Sequence, residues 1–210
     1  MLKRSLTPVR PLPSHGRLVL AFFAAFAAGA AGLIAVIDKA GFHLMTEAQV
    51  RWMGAILAGG GILFSLALAW RMVPASRQGF PLSLVLAASG IGAIGGIALL
   101  FPWRTSSAFI SEGRPCAVLE LMIAIPAAVI FWLGARRGAL FASAGLGAAL
   151  TGLAAFLALM PLQTQCMFQQ APHLLVWHGA TAAILIGFGA LIGDCLSRFG
   201  PLRKPQTQAG

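Results

Sequence analysis

Six long apolar runs, each separated from the next by a short polar or proline-containing segment, set the pattern of this chain. They extend from Leu18 to Ile37, Met53 to Trp70, Phe80 to Phe101, Cys116 to Leu133, Ala139 to Met160 and Leu174 to Gly193. At about 1.5 Å of rise per residue, each is long enough to cross roughly 30 Å of hydrocarbon as a helix. None alternates apolar and polar positions as a barrel strand does, and a lone segment in lipid satisfies its backbone N–H and C=O groups only by bonding to itself. The pattern therefore predicts an all-α integral membrane bundle of six transmembrane helices, arranged as three outward-opening hairpins. A short basic segment, 1–17, precedes the transmembrane domain, 18–193, and a tail, 194–210, follows it. The first run continues through Leu33 to Ile37 and is read as a retained anchor rather than a cleaved signal peptide.

Composition agrees: 59% of the 210 residues are hydrophobic and only 10% are charged, far from the balance of a soluble domain. The net charge of +10 would suit a nucleic-acid binder, but its distribution points elsewhere. Eleven basic residues (Lys3, Arg4, Arg10, Arg17, Arg71, Arg77, Arg136, Arg137, Arg198, Arg203, Lys204) fall on one side of the six-span map, and four (Lys39, Arg51, Arg104, Arg114) on the other. The positive-inside rule then puts both termini in the cytoplasm, with lipid headgroups rather than nucleic acid as the neighbours of these charges. Trp52, Trp70, Trp103, Trp132 and Trp177 sit at or near run ends, where indole rings prefer the headgroup level. Small residues crowd the runs, and the Gly92 to Gly96 spacing suits close helix contact. The GxGxxG match at Gly90, Gly92 and Gly95 lies inside a span, without the strand a nucleotide site needs. Pro126 falls mid-span, where a kink is expected.

Polar chemistry is concentrated in few places. Cys116 opens the fourth run and Cys166 lies between the fifth and sixth, both on the outward side of the map; Cys195 is on the inward side. In an oxidising compartment the first two allow a structural disulfide, a switchable dithiol, a pair of soft sulfurs for a thiophilic metal, or unpaired thiols. Glu120 is the one carboxylate within a span, four residues after Cys116 and on the same helical face. An intramembrane acid is a functional candidate, able to donate a metal oxygen, shift the thiol or bind a proton. Its place near the outer end favours instead a side chain reaching the interface or pairing with Arg104 or Arg114. His173 and His178 flank Trp177; with the thiols they suggest a zinc-like set, but no CxxC or HExxH spacing ties them together, and interface residues with one hydrogen bond each are expected. No catalytic constellation is present, so the chain reads as a non-enzyme without a resident cofactor. A small transporter or channel-like protein with a structural disulfide is the competing class, though Glu120 alone supplies charge to a path.

The order of these features resembles the NrsF family of six-helix membrane anti-sigma factors, negative regulators of extracytoplasmic-function sigma factors. The matching pieces are LTPVRPLPSHGR before the first run, GRPCAVLELMIAIP around Cys116, the turn LGARRGALFASAGLGAALTGLAA, and the Cys166 segment followed by APHLLVWHG. The resemblance implies a protein of the bacterial inner membrane that sequesters a sigma factor on the cytoplasmic side. Cys116 and Cys166 match the family's outward-facing sensing cysteines, with oxidant or metal stress as the stimulus and a transient thiophilic metal at the pair as one form of it. Glu120 and His173 are auxiliary candidates, and Pro8, Val9 and Arg10 the candidate sigma-factor contact. This chain departs from relatives in having Met167, Phe168, Gln169 and Gln170 after Cys166, where they carry Pro and acids, and Trp177-His178 in place of Trp-Tyr.

Overall fold

The computed structural model describes residues 14–36, 42–72, 82–136 and 143–199. Its helices are α1 (His15–Val36), α2 (Glu47–Met72), α3 (Leu82–Leu100), α4 (Phe109–Ala135), α5 (Ala144–Gln165), α6 (Ala171–His173) and α7 (Ala180–Phe199). A π-helical segment, Leu174–Gly179, joins α6 to α7 into one rod, and a 3-10 turn, Phe42–Leu44, precedes α2. Six of these units are long and apolar enough to cross a membrane, the sixth being the rod Ala171–Arg198. The expectation of six spanning helices is met, with shifted boundaries.

Local chemistry explains the shifts. Helix α2 starts six residues before the apolar run because Thr46 and Gln49 form a capping box. The Thr46 N–H donates to Gln49 Oε1 at 2.8 Å, and the Gln49 N–H to Thr46 Oγ1 at 3.3 Å. Gln49 Nε2 also donates to the Leu100 carbonyl at 2.7 Å, tying the start of α2 to the end of α3. Helix α5 starts where the Ser143 hydroxyl accepts the Leu146 N–H at 3.2 Å. It does not stop at Pro161 as the expected outer segment, Pro161 to His173, requires; it runs on to Gln165, leaving a five-residue link to α6. Likewise α4 begins at Phe109, well before Cys116, and continues through both Pro115 and Pro126.

The core is organised around α5, which is buried along most of its length while α1, α3 and α4 turn most of their residues outward. It packs against α1, α2, α4 and α7. Alanine and glycine make this possible: Ala149, Ala154, Ala155 and Ala158 are fully buried. Where glycines meet neighbours, large rings fill the space: the Phe64 ring lies on Gly152, Phe156 on Gly60, Phe26 on Gly61 and Trp52 on Gly96. The Gly92 to Gly96 face of α3 thus packs on α2 through Ile56 and Trp52, the close contact expected of that spacing. At α5 and α7 the backbones themselves touch, Gly147 and Ser143 against Gly189 and Gly193.

Contacts sort the helix ends into two groups. At one end the His15 and Trp70 rings meet at 4.8 Å, Arg71 covers Gly145, and Asp194 pairs with Arg198 at 2.8 Å. At the other, Ala171 N–H donates to Pro102 O at 3.0 Å and Cys116 meets Cys166. Replacing Gly152 with Val forces the Phe64 ring out of its place and should cost about 1–3 kcal/mol. Thermal unfolding of the detergent-solubilised protein, followed by circular dichroism, should show a clear drop in Tm for Gly152→Val and little change for Gly54→Ala, whose added methyl meets nothing within 4 Å.

Candidate functional site

The end of the bundle opposite Arg71 and Arg198 holds a buried polar cluster. Cys116 enters from α4, Cys166 from the C-terminal cap of α5, and His173 and His178 from the α6 to α7 rod. The two Sγ atoms are 3.9 Å apart. His173 Nε2 lies 3.5 Å from Cys166 Sγ, the two imidazole centroids are 5.5 Å apart, and one ligating atom from each of the four residues falls within 4.8 Å of every other.

The π turn is what brings the two histidines together. In an α-helix, positions five apart are separated by roughly 140° around the axis; in a π turn, with roughly 4.4 residues per turn, the separation falls to about 50°. The Ala180 N–H accordingly donates to Leu175 O, five residues back. His173 and His178 therefore project to the same side and are 1% and 2% exposed. This corrects the expectation of interface histidines: each does have one hydrogen-bonding neighbour, but both are core residues. Phe109, Phe168 and Trp177 ring the imidazoles, with Phe168 at 5.3 Å from His173 and Phe109 at 5.8 Å from Trp177. The Trp177 indole lies over Gly113, so its place is a packing contact with α4.

Gln163, which the sequence reading did not single out, is 4% exposed and sets its Nε2 3.3 Å from His178 Nδ1. Its Oε1 and His178 Nε2 have no hydrogen bond among the described residues. Turning the Gln163 amide over lets Oε1 accept from Nδ1–H and leaves Nε2 with a free lone pair. The thiols are better served: Cys116 S–H faces Glu112 O at 3.8 Å and Cys166 S–H faces Phe168 O at 3.6 Å. The hydrogen bond to Cys116, followed by burial, pushes the Cys166 thiol above its ordinary range.

Glu120 overturns its sequence expectation. It lies about 16 Å along α4 from Phe109. It is 0% exposed, with both carboxyl oxygens unbonded among the described residues, and makes no ion pair with Arg104 or Arg114. Cys195 is exposed and about 25 Å further along the rod than His178, while Pro8, Val9 and Arg10 lie outside the described residues. An open cleft of about 410 Å³ leads to the sulfurs between Glu112, Pro115, Gln165 and Met167.

The arrangement can do sulfur chemistry: two thiols in contact, reachable through one cleft, beside two imidazoles. The sequence model described as NrsF, negative regulator of sigma F, matches residues 2–199, nearly the whole chain. The chain belongs to the NrsF family. No curated protein and no solved structure matches it significantly. Membership of NrsF makes this a negative regulator of a sigma factor, carried by a multi-pass helical bundle.

Two outcomes follow from the geometry. Diamide treatment of reduced, solubilised protein should join Cys116 to Cys166 within one chain and leave Cys195 open to alkylation, as peptide mass mapping would show. Glu120→Met removes an unbonded buried carboxyl and should raise stability by about 1 kcal/mol or more, read as a higher Tm.

Proposed function

We propose that this NrsF protein holds its sigma factor at the cytoplasmic face of the bacterial inner membrane and releases it when the Cys116 and Cys166 pair, facing the outer compartment, meets oxidant or thiophilic metal. The observation that carries this reading is the 3.9 Å approach of two thiols from different helices in a chain of a sigma-regulator family. The charge asymmetry supports the orientation: the end bearing Arg71, Arg136 and Arg198 is the positive-inside end, which puts the sulfurs outside and both termini within.

Oxidation balances with a hydroperoxide as oxidant. One sulfur attacks the terminal peroxide oxygen to give a sulfenic acid while the alcohol leaves; the second sulfur displaces water and the S–S bond closes. Two electrons pass from the thiols to the peroxide bond, and the two thiol protons end on the alcohol and the water. Either disulfide formation or metal capture changes the separation of α4 and α5, and the packed bundle carries that bias to the inner segments. Pro8, Val9 and Arg10 are the proposed contact with the sigma factor.

Affinity capture of the full-length protein from native membranes should bring down a small sigma factor and lose it after peroxide. Cys116→Ser with Cys166→Ser should keep the sigma factor bound with or without peroxide; normal release from that double variant would sink the sensing role. A membrane-impermeant maleimide applied to reduced spheroplasts should label Cys116 or Cys166 and spare Cys195. The reverse pattern would invert the topology.

A further inference from the structure

We propose that Cys116, Cys166, His173 and His178 form a four-ligand S2N2 site for one zinc-like divalent cation, zinc or cadmium, with Gln163 orienting His178. This deepens the sensing reading and rests on it for its cellular consequence, though the binding itself is a property of the bundle.

The separations already approach those of a bound ion. With metal–sulfur bonds of about 2.3 Å and metal–nitrogen bonds of about 2.05 Å, a tetrahedron has sulfur–sulfur edges of roughly 3.8 Å and sulfur–nitrogen edges of roughly 3.6 Å. The two sulfurs stand at 3.9 Å and Cys166 Sγ stands 3.5 Å from His173 Nε2. The longest of the ligand separations, 4.8 Å, must close by about 1 Å, a rotamer-scale adjustment. Two thiolates and two neutral imidazoles around a divalent ion sum to zero charge, the combination least costly to bury. A monovalent ion on the same set would leave a net negative charge within the span that also buries Glu120. Ligand softness points the same way, since sulfur with imidazole suits zinc and cadmium over the oxygen-seeking ions.

Around the four ligands the structure supplies what such a site needs. His178 Nε2 is buried without a hydrogen bond, and the Gln163 amide at Nδ1, once turned so that its Oε1 accepts from Nδ1–H, holds the tautomer that leaves Nε2 available. The cleft to the sulfurs carries the Glu112 carboxylate and the exposed Met167 thioether along it, a route a cation can follow. The π turn, which costs the regular hydrogen-bond ladder, has the effect of presenting both imidazoles to the sulfurs.

The test uses reduced full-length protein in nanodiscs, titrated with Co2+ as a spectroscopic substitute and then with Cd2+. Expected is one equivalent bound, with the intense visible ligand-field bands of tetrahedral S2N2 cobalt, and X-ray absorption of the cadmium form fitting two sulfur and two nitrogen neighbours. His173→Asn and His178→Asn should each weaken cadmium binding at least tenfold while leaving both thiols titratable with a thiol reagent, and Gln163→Leu should weaken it by less. Sulfur-only coordination in the wild type, or histidine variants that bind as tightly as wild type, would overturn the proposal. If the site binds as described but cadmium leaves the sigma factor on the membrane, the metal site stands and the sensing reading falls; if peroxide releases the sigma factor while no S2N2 complex forms, the reverse holds.

Discussion

Close approach of four neighbouring helices to α5 is the constraint on which the rest of this structure depends. In lipid no hydrophobic force drives helices together, so association rests on van der Waals contact and on the distance at which backbones can meet. The Ala and Gly surface of α5 shortens that distance on every side, and the rings of Phe64, Phe156 and Phe26 fill the grooves that remain. The position of Cys166 follows directly, because it caps the helix against which α1, α2, α4 and α7 pack. Cys116 then needs only the α4 to α5 contact to bring its sulfur alongside.

Against that apolar frame the polar cluster is an energetic anomaly. Glu120, Gln163, His173 and His178 are all nearly or wholly buried, and each leaves at least one polar atom without a hydrogen bond among the described residues. Each such atom costs about 1–3 kcal/mol, so together they oppose folding by more than any single packing contact here returns. Residues that stability would exchange for leucine or methionine, gathered at the meeting of three elements beside two thiols, are what makes this cluster the candidate site.

Much of the fold was legible because hydrophobic run length is a strong signal in a membrane chain. The six long apolar helices and the Gly92 to Gly96 contact could be read from residue type and spacing. Boundaries were harder, since the Thr46 and Gln49 capping box and the continuation of α5 through Pro161 depend on hydrogen bonds that hydropathy does not register. The thiols were legible as a pair and the histidines as a loose zinc-like set with them, but the burial of both histidines was not. At α-helical spacing His173 and His178 diverge, and only the π turn turns both inward. Gln163 gave one available clue, the first polar residue after Pro161 and Leu162 at the end of the fifth run.

The same elements suggest how an event at the sulfurs could matter at the opposite end in the proposed release mechanism. Cys166 ends α5, and the histidines begin the rod that becomes α7, so any contraction of the cluster pulls on both of these helices at once. Next to the cluster each carries a weak point in its hydrogen-bond ladder, Pro161 in α5 and the π turn in the rod, where bending costs least. At the far end the two helices meet backbone to backbone, Gly147 and Ser143 against Gly189 and Gly193, with no long side chain between them to absorb a displacement. In the proposed mechanism a compliant end joined to a rigid one acts as a lever, passing part of any closure at the sulfurs to the glycine contact as a change in crossing angle. That contact borders the arginine-rich end, where Arg71 lies against Gly145 and Asp194 holds Arg198, the surface that the proposed orientation offers to a cytoplasmic partner.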